Sequence, residues 1–450
     1  MTDKVPEPPA TGLPGADGSA ALRGSRASWL SGASLPEVAY AVFALLVYIG
    51  VHFGLNETGD DSELTVDGMA TLNQAAVLLV GVAFVVRHRR TCAGALADVR
   101  PFLLLLLLAA ASSLWSQAPD ASLRRSLTLA TLMMFAVYAH AVLGTLLICR
   151  LQVAVAGIAA LASFAVAAVV PASGFDVGGY AGAVRGVFSQ KNSLGDAMVV
   201  GTVALSGLVL HRRRIVPADL ACLALAGGAC VLAQATTSFL LCLVVALMTA
   251  GPVLLINASV FAAFCLLTGL MAASLALWII WVVPVDLFAL LGKNSSLTGR
   301  TEIWAAVGQV IADGSALGHG YSAFWLPETP AAQDVWAAIG WVTPSAHSGY
   351  LEVQLELGMP GLLLVVGLGL ATLWAAARAW WAQCWATAAW GVIVLTTIAI
   401  INYDESSLPR PDIHLLQWIL AFAACSAGAR TQADTLVPAP SASVEPAGRS

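Results

Sequence analysis

The sequence predicts an all-α polytopic membrane protein with about twelve transmembrane helices and one large, partly helical loop outside the cytoplasm. Hydrophobic residues make up 59% of the 450 positions and charged residues only 10%, which is too apolar a balance for a water-soluble globule. Apolar runs long enough to cross roughly 30 Å of hydrocarbon recur along most of the chain. Because a backbone in lipid must pair its own N–H and C=O groups, we expect these runs to be helices.

The apolar runs form two groups, with about nine spans in residues 35–283 and about three in residues 359–428. Residues 284–358 form the large loop between them. Residues 1–34 and 429–450 are rich in Pro, Gly, Ala and Ser without hydrophobic periodicity, which predicts disordered tails. The predicted spans are 36–54, 66–86, 101–115, 126–148, 151–171, 193–210, 216–234, 237–256, 258–283, 359–377, 386–401 and 412–428.

Arginine clusters predict the orientation, because positive charge between spans marks the cytoplasmic side. The clusters fall between spans that alternate to one side, which places both tails in the cytoplasm and the loop 284–358 outside, together with loops 55–65, 116–125, 172–192 and 402–411. The residues concerned are Arg87, Arg89, Arg90, Arg100, Arg150, Arg212, Arg213, Arg214, Arg378 and Arg430.

Missing motifs exclude several classes of protein. There is no basic domain or nucleic-acid motif, so no nucleic-acid partner is expected. None of the eight cysteines lies in the large loop, and no zinc spacing or disulfide framework emerges. The chain also lacks a P-loop, a dinucleotide fingerprint, a Gly-x-Ser-x-Gly elbow and an Asp-x-Asp pair for a sugar-nucleotide metal. We therefore expect chemistry on an activated, membrane-borne donor with no cofactor and no metal.

The large loop contains a candidate anion site. From Thr301 to Ala312, apolar side chains recur at helical spacing, which predicts an amphipathic helix preceded by Gly299 and Arg300. An arginine at a helix N-terminus suits a phosphate group, because unpaired N–H groups and a partial positive charge lie beside it. The alternative is an arginine that is solvated or paired with an acid such as Glu302.

The end of the loop contains a candidate general base. His347 lies at the start of a predicted short helix, Ser348 to Leu357, which ends where glycine and proline break it at Gly358-Met359-Pro360-Gly361. A neutral imidazole there can take a proton from a sugar hydroxyl near neutral pH. Four tryptophans of the loop can pack against sugar rings or anchor at the membrane interface. They are Trp304, Trp325, Trp336 and Trp341.

A second outer segment, residues 183–192, contains Arg185 and Lys191 on the side where positive charge is scarce. Both are candidates for binding an anion. For Lys191 the alternative is a side chain that reaches out to lipid headgroups.

These motifs together resemble the bacterial O-antigen ligase and polymerase family. Its members share a histidine, then Asn, Ser or Gln, nine residues, and Gly-x-x-Gly in a large periplasmic loop. His347-Ser348, the nine residues 349–357, and then Gly358 and Gly361 match that spacing without a gap. The resemblance runs over about residues 36–428. Its other motifs are Arg185-Gly186-Val187-Phe188 with Asn192, Gly299-Arg300 with Trp304, and Gly318-His319-Gly320-Tyr321.

The resemblance implies a multi-pass glycosyltransferase of the bacterial cytoplasmic (inner) membrane, with residues 284–358 as a periplasmic catalytic loop. Its donor would be an oligosaccharide linked to undecaprenyl pyrophosphate, and its reaction a metal-independent, inverting transfer. His347 falls on the catalytic histidine, and Arg185 and Arg300 fall on the arginines that bind the pyrophosphate. The remaining candidates for substrate binding are Lys191, Asn192, Trp304 and Tyr321.

Several functions remain open at this point, among them a non-catalytic assembly scaffold, for which the outer arginines and His347 would be dispensable. The loop motifs look most similar to exopolysaccharide production proteins, which favours a polymerase that joins lipid-linked repeat units into exopolysaccharide or O-antigen. A ligase that passes the glycan to lipid A core, or to protein, is the alternative within the family. A transporter or flippase is the alternative from another class, with His52 and His140 as its ionisable candidates within spans. Other polysaccharide-export proteins are candidate partners.

Overall fold

A computed structural model describes residues 33–51, 68–176, 182–255 and 299–436. Within these residues the protein is nearly all helical, and the one β-pairing is a single bridge between Phe175 and Val184. The predicted all-α class is therefore confirmed. The predicted span 258–283, most of both tails, and His52 lie outside the described residues.

The first group of spans corresponds to eight helices. Two of them begin with a proline, Pro119 or Pro217, whose fixed φ suits the first turn and whose missing N–H would have no partner there. The helices are α1 (Leu35–Tyr48), α2 (Gly68–Arg87), α3 (Arg89–Ala111), α4 (Pro119–Tyr138), α5 (Thr145–Val169), α6 (Lys191–Arg212), α7 (Pro217–Leu232) and α8 (Thr236–Leu255).

Five further helices follow in the second half of the described chain. They are α9 (Arg300–Asp313), α10 (Pro330–Ile339), α11 (Gly349–Trp381), α12 (Trp385–Asp404) and α13 (Ile413–Leu436). Among the described helices, eight are long and apolar enough to cross a membrane. The total of about twelve spans stays a prediction.

Two predicted boundaries are wrong. Arg100 is predicted to lie between spans, but α3 begins at Arg89 and continues through it. Most of the predicted short span 101–115 therefore belongs to α3, which together with the 3-10 turn Ser112–Leu114 forms a candidate span of 26 residues. An arginine does not end a helix, since its helix propensity is high, and its long side chain can reach out to the membrane surface. Arg124 and Arg125 were placed in a loop and instead lie in α4, which begins at Pro119 with Asp120 in its first turn, where a carboxylate favours the helix dipole.

Helix α6 lies at the centre of the bundle. It packs against α5, α7, α8 and α12, and 78% of its most apolar stretch is buried, the highest fraction among the eight candidate spans. Its first residues, Lys191 and Asn192, therefore start from a rigid element. Helices α11, α12 and α13 pack against one another, and α11 and α13 also contact α3.

Helix α11 contains the predicted break. Gly358 has φ 63° and ψ −160°, which separates a short helix, residues 349–357, from a long one that begins at Met359. Because Pro360 has no N–H, the carbonyl of Glu356 loses its helical donor and instead accepts from Gly320 at 2.9 Å. The N–H of Met359 likewise donates to Ala316 at 2.9 Å. The break thus attaches the short helix to residues 316–320.

Residues 299–348 have a hydrophobic core of their own. Helix α9 confirms the predicted amphipathic helix and buries Ile303 and Val307. These side chains pack with Phe324, Trp325 and Val335 of the same segment and with Leu355 of the short helix. This second core makes the segment an ordered platform on the short helix that follows His347.

Candidate active site

Glu405 connects three of the predicted site residues. It follows directly after α12, and its Oε1 accepts hydrogen bonds from Arg300 Nη2 at 2.7 Å and from Asn192 Nδ2 at 3.0 Å. Nδ1 of His347 lies 3.6 Å from the other carboxylate oxygen, Oε2. The carboxylate therefore joins the start of α6, the start of α9 and the loop before α11. We call Arg300, His347, Glu405 and Asn192 the Glu405 cluster.

The charge at Glu405 is stabilised by its neighbours. Burial by itself would raise the pKa of Glu405, but the nearby His347 ring and the charge of Arg300, which donates to the carboxylate, outweigh it and hold the pKa below its ordinary value. The side chains of Arg300, His347 and Glu405 are 15%, 23% and 21% exposed. The cluster is thus partly shielded from water and still open to a substrate.

The sequence analysis did not identify Glu405. The alternative partner considered for Arg300 was Glu302, but the carboxylate of Glu405 takes that place, and Glu302 accepts a hydrogen bond from Thr301 at 2.9 Å. The available signal was an acidic residue at the outer end of a predicted span, in loop 402–411. That signal is weak, since nothing in the local sequence indicates a cationic partner.

His347 has an unusual backbone conformation that its neighbours hold in place. Its φ is 47°, in the left-handed region that residues other than glycine seldom adopt. On one side, the N–H of Ala346 donates to Glu352 Oε2 at 2.8 Å, and the carbonyl of Ala346 accepts from Trp304 Nε1 at 3.0 Å. On the other side, the N–H of Ser348 donates to Ser406 Oγ at 3.1 Å. Such residues are common at functional sites, where the surrounding contacts enforce them.

Glu352 is a second carboxylate that supports the site. It is fully buried on the short helix, and its Oε1 accepts from Trp325 Nε1 at 2.8 Å. Arg410 Nη2 lies 4.0 Å from the same carboxylate and donates to the carbonyl of Pro344 at 3.1 Å. These contacts anchor the chain on the N-terminal side of His347, a role that the sequence analysis did not predict for Glu352.

Arg185 and Lys191 lie in the segment that delivers Asn192 to Glu405. Arg185 is 7% exposed and donates through Nε to Phe175 at 3.1 Å and through Nη1 to Ser189 at 3.2 Å, both backbone carbonyls. Lys191 Nζ donates to the carbonyl of Gln234 at 3.3 Å. Residues 183–192 thus contain two cations, Arg185 and Lys191, and Asn192 of the same segment donates to Glu405. Their role in binding pyrophosphate stays a prediction.

Trp304 and Tyr321 support the walls of the site. The ring of Trp304 packs edge to face on Tyr403, with 5.4 Å between the ring centroids. Tyr321 is fully buried, and its hydroxyl donates to the carbonyl of Pro409 at 2.9 Å. Burial raises the pKa of Tyr321 well above its ordinary value, so the hydroxyl stays a neutral donor. Direct contact of either residue with substrate stays a prediction.

His140, one of the histidines that would suit a transporter, has a structural partner. It follows α4, and its Nε2 lies 3.3 Å from Asp98 Oδ2 on α3. Arg430 of α13 also pairs with Asp98. The three side chains join α3, α13 and the turn that follows α4, which accounts for a polar residue within the bundle.

Residues 221–366 match a family model, Wzy_C, described as O-antigen ligase. This part of the chain therefore forms a domain that is similar to O-antigen ligases. The domain includes Arg300 and His347 and the break at Gly358, whereas Asn192 and Glu405 lie outside the matched residues. A comparison with curated proteins found no match. The domain and the apolar helices support a multi-pass membrane protein with activity of the O-antigen ligase or polymerase type on lipid-linked glycans.

Proposed function

We propose that the protein polymerises oligosaccharide repeat units linked to undecaprenyl pyrophosphate, at the periplasmic face of the bacterial inner membrane. The product is exopolysaccharide or O-antigen. The observation that supports this most is the Glu405 cluster, which joins an arginine and a histidine of the O-antigen ligase domain in one partly buried site. An anion-binding group beside a candidate base is what glycosyl transfer from a pyrophosphate requires.

Arg300 would bind the pyrophosphate. A guanidinium has five N–H donors in a planar fork, so it can hold a phosphate oxygen while it keeps its hydrogen bond to Glu405. Arg185 and Lys191 would add positive charge from the neighbouring segment. As the glycosidic bond breaks, these cations would stabilise the negative charge that develops on the leaving group.

His347 would act as the general base. The hydroxyl oxygen of the acceptor sugar attacks the anomeric carbon while the bond from that carbon to the pyrophosphate oxygen breaks. The electron pair of that bond leaves with undecaprenyl pyrophosphate, and His347 takes the hydroxyl proton. Because Nδ1 faces Glu405, the proton would go to Nε2, and the carboxylate would stabilise the charge on the ring. Attack on the face opposite the leaving group inverts the anomeric carbon.

The acceptor separates polymerase from ligase. We favour the polymerase because the loop motifs look most similar to exopolysaccharide production proteins. In a ligase the same cluster would transfer the glycan to lipid A core, or to protein. The lipid bilayer and other polysaccharide-export proteins are the expected partners in either case.

The test is a profile of the surface and lipid-linked glycans, by gel and mass spectrometry, in a deletion strain. The strain is complemented with wild type, with His347→Ala, or with Gln309→Ala, a control at an exposed position of α9. General base catalysis contributes ~10²–10⁴-fold, so His347→Ala should lose nearly all activity at normal membrane levels. Gln309→Ala should behave as wild type.

The glycans that accumulate distinguish the functions. Loss of long chains with accumulation of single lipid-linked repeats supports the polymerase. Long lipid-linked chains that never reach a final acceptor would instead identify a ligase. Unchanged glycans in the His347→Ala strain would contradict both enzymatic functions.

A further inference from the structure

The structure separates the four tryptophans of residues 299–348 into three that support the fold and one that is exposed. Trp304 donates to Ala346 and Trp325 to Glu352, as described above. Trp336 Nε1 donates to the carbonyl of Thr343 at 2.8 Å. Trp341 is 41% exposed, although it lies only six positions before His347 in the sequence. An exposed aromatic side chain beside a candidate active site is available for contact with a ligand.

Trp341 lies next to the Glu405 cluster. Its ring packs over Gly299, where a Cβ atom would lie 3.5 Å from Trp341 Cζ2. Gly299 has φ 87° and is the N-cap of α9, so the next residue is Arg300, whose side chain binds Glu405. The indole therefore borders the start of the helix that carries the candidate pyrophosphate ligand.

The loop that carries Trp341 is anchored on the side that faces the protein. Thr343 accepts the hydrogen bond from Trp336, and Pro344 accepts the one from Arg410. Trp341 and Val342 are left exposed at the tip of the same loop. The indole is thus presented by an ordered loop, which lowers the entropy lost when a ligand binds.

Charge argues against anchoring in a lipid surface. Residues 299–348 contain one arginine against four carboxylates, Glu302, Asp313, Glu328 and Asp334. Such a segment is repelled by anionic headgroups, whereas segments that bind lipid surfaces are usually basic. A sugar ring tolerates this environment, because its C–H face is apolar and its hydroxyl groups can donate to carboxylates.

We propose that Trp341 is a saccharide-binding platform, on which a pyranose ring of the glycan at the Glu405 cluster stacks. This inference rests on the proposed function. The ring belongs either to the donor, next to its pyrophosphate, or to the acceptor, next to the attacking hydroxyl. The chemistry is the same in both cases, a flat indole against the apolar face of a sugar.

The test uses full-length protein in nanodiscs and three variants. Trp341→Ala removes the platform, Trp341→Phe keeps a flat ring, and Trp381→Ala is a control at an indole that is 66% exposed near the end of α11. Lipid-linked oligosaccharide is extracted from the deletion strain. Part of it serves as donor, and part is released by mild acid and fluorescently labelled as a soluble binding probe. Binding of the probe is measured in a His347→Ala background, where no turnover occurs.

Trp341→Ala should weaken probe binding roughly three- to tenfold, as expected for loss of one aromatic contact. In the protein with His347 intact, the KM should rise by a similar factor with kcat little changed. Trp341→Phe should recover most of the loss, and Trp381→Ala should match wild type. An increase confined to the donor KM would place the ring on the donor, and one confined to the acceptor KM would place it on the acceptor.

Two results would overturn the inference. If Trp341→Ala leaves probe binding and both KM values unchanged while His347→Ala is inactive, the platform is wrong and the proposed function stands. If Trp341→Ala instead reduces only the insertion of the protein into anionic membranes, the indole is a membrane anchor. Full activity of His347→Ala would contradict the proposed function itself, and the binding data would then decide about Trp341 separately.

Discussion

Glu405→Gln removes one negative charge from the centre of the candidate site and keeps the shape of the side chain. The amide retains an oxygen that can accept a hydrogen bond from Asn192 or Arg300. It no longer carries a negative charge to attract the guanidinium of Arg300 or a protonated His347. We expect the protein to fold and to lose most of its activity, because the positive charge that forms on His347 during proton transfer would face a neutral group.

The distances set the size of the effect. At 3.6 Å, the separation of His347 Nδ1 and Glu405 Oε2, two unit charges attract by about 4–5 kcal/mol at an effective dielectric constant of ~20. This is an upper bound, since both side chains are about one-fifth exposed and water screens part of the attraction. A loss of about 10–10²-fold in kcat, or ~1.4–2.7 kcal/mol, is therefore expected. Loss of the charge-assisted hydrogen bond with Arg300 should also cost about 1–2 kcal/mol of stability.

The assay is the initial rate of glycan transfer by protein in nanodiscs, with Glu302→Gln as the control. Glu302 is an exposed carboxylate two residues from Arg300, so this control removes the same charge from the same region without touching the cluster. Wild-type kcat in Glu405→Gln would refute the reasoning. An equal loss of kcat in both variants would show that the effect comes from the net charge of the region and not from the contact between Glu405 and His347.

The pH dependence of stability gives a second readout. Because the folded protein holds the pKa of Glu405 below its ordinary value, the ionised carboxylate stabilises the fold above about pH 4.3, the value for an unfolded chain. This stabilisation is lost as the pH falls through the lower, folded pKa. The difference in Tm between wild type and Glu405→Gln should therefore be present at neutral pH and shrink on acidification. A Tm difference that stays the same at all pH values would contradict the lowered pKa of Glu405.

Two further substitutions test the geometry. Arg300→Lys keeps the charge but loses the planar fork, so kcat/KM should fall roughly tenfold, and an unaffected variant would argue against pyrophosphate binding at this position. Gly349→Ala should lower the Tm, with a cost of about 1–3 kcal/mol, because the added Cβ would overlap Oδ1 of Asn402, which accepts the N–H of Leu408 at 2.7 Å. Gly367→Ala is its control in the same helix, since no atom beyond its chain neighbours and its own helix backbone lies within 4 Å of the added Cβ. Equal Tm values for the two variants would show that Asn402 leaves room for the added Cβ at position 349.

The local sequence determined the helical class, helix α9 and the break in α11. Each rests on an interaction within a few residues. Helical spacing of apolar side chains selects one face of α9 for burial, and a proline that cannot donate frees a carbonyl four positions earlier. The predicted starts of α3 and α4 are wrong, because charged residues do not end these helices and the helical backbone continues through them.

The assembly of the site depended on the tertiary structure. Arg300 and Asn192 are 105 and 213 positions from Glu405, and no local pattern records which carboxylate a distant arginine will contact. The tryptophans show the same limit, because four similar residues in one segment were equivalent until packing buried Trp325 and left Trp341 exposed. Composition and spacing therefore select the chemistry and the helices, whereas packing alone decides which side chains share a site, since contact depends on where the helices place them in space.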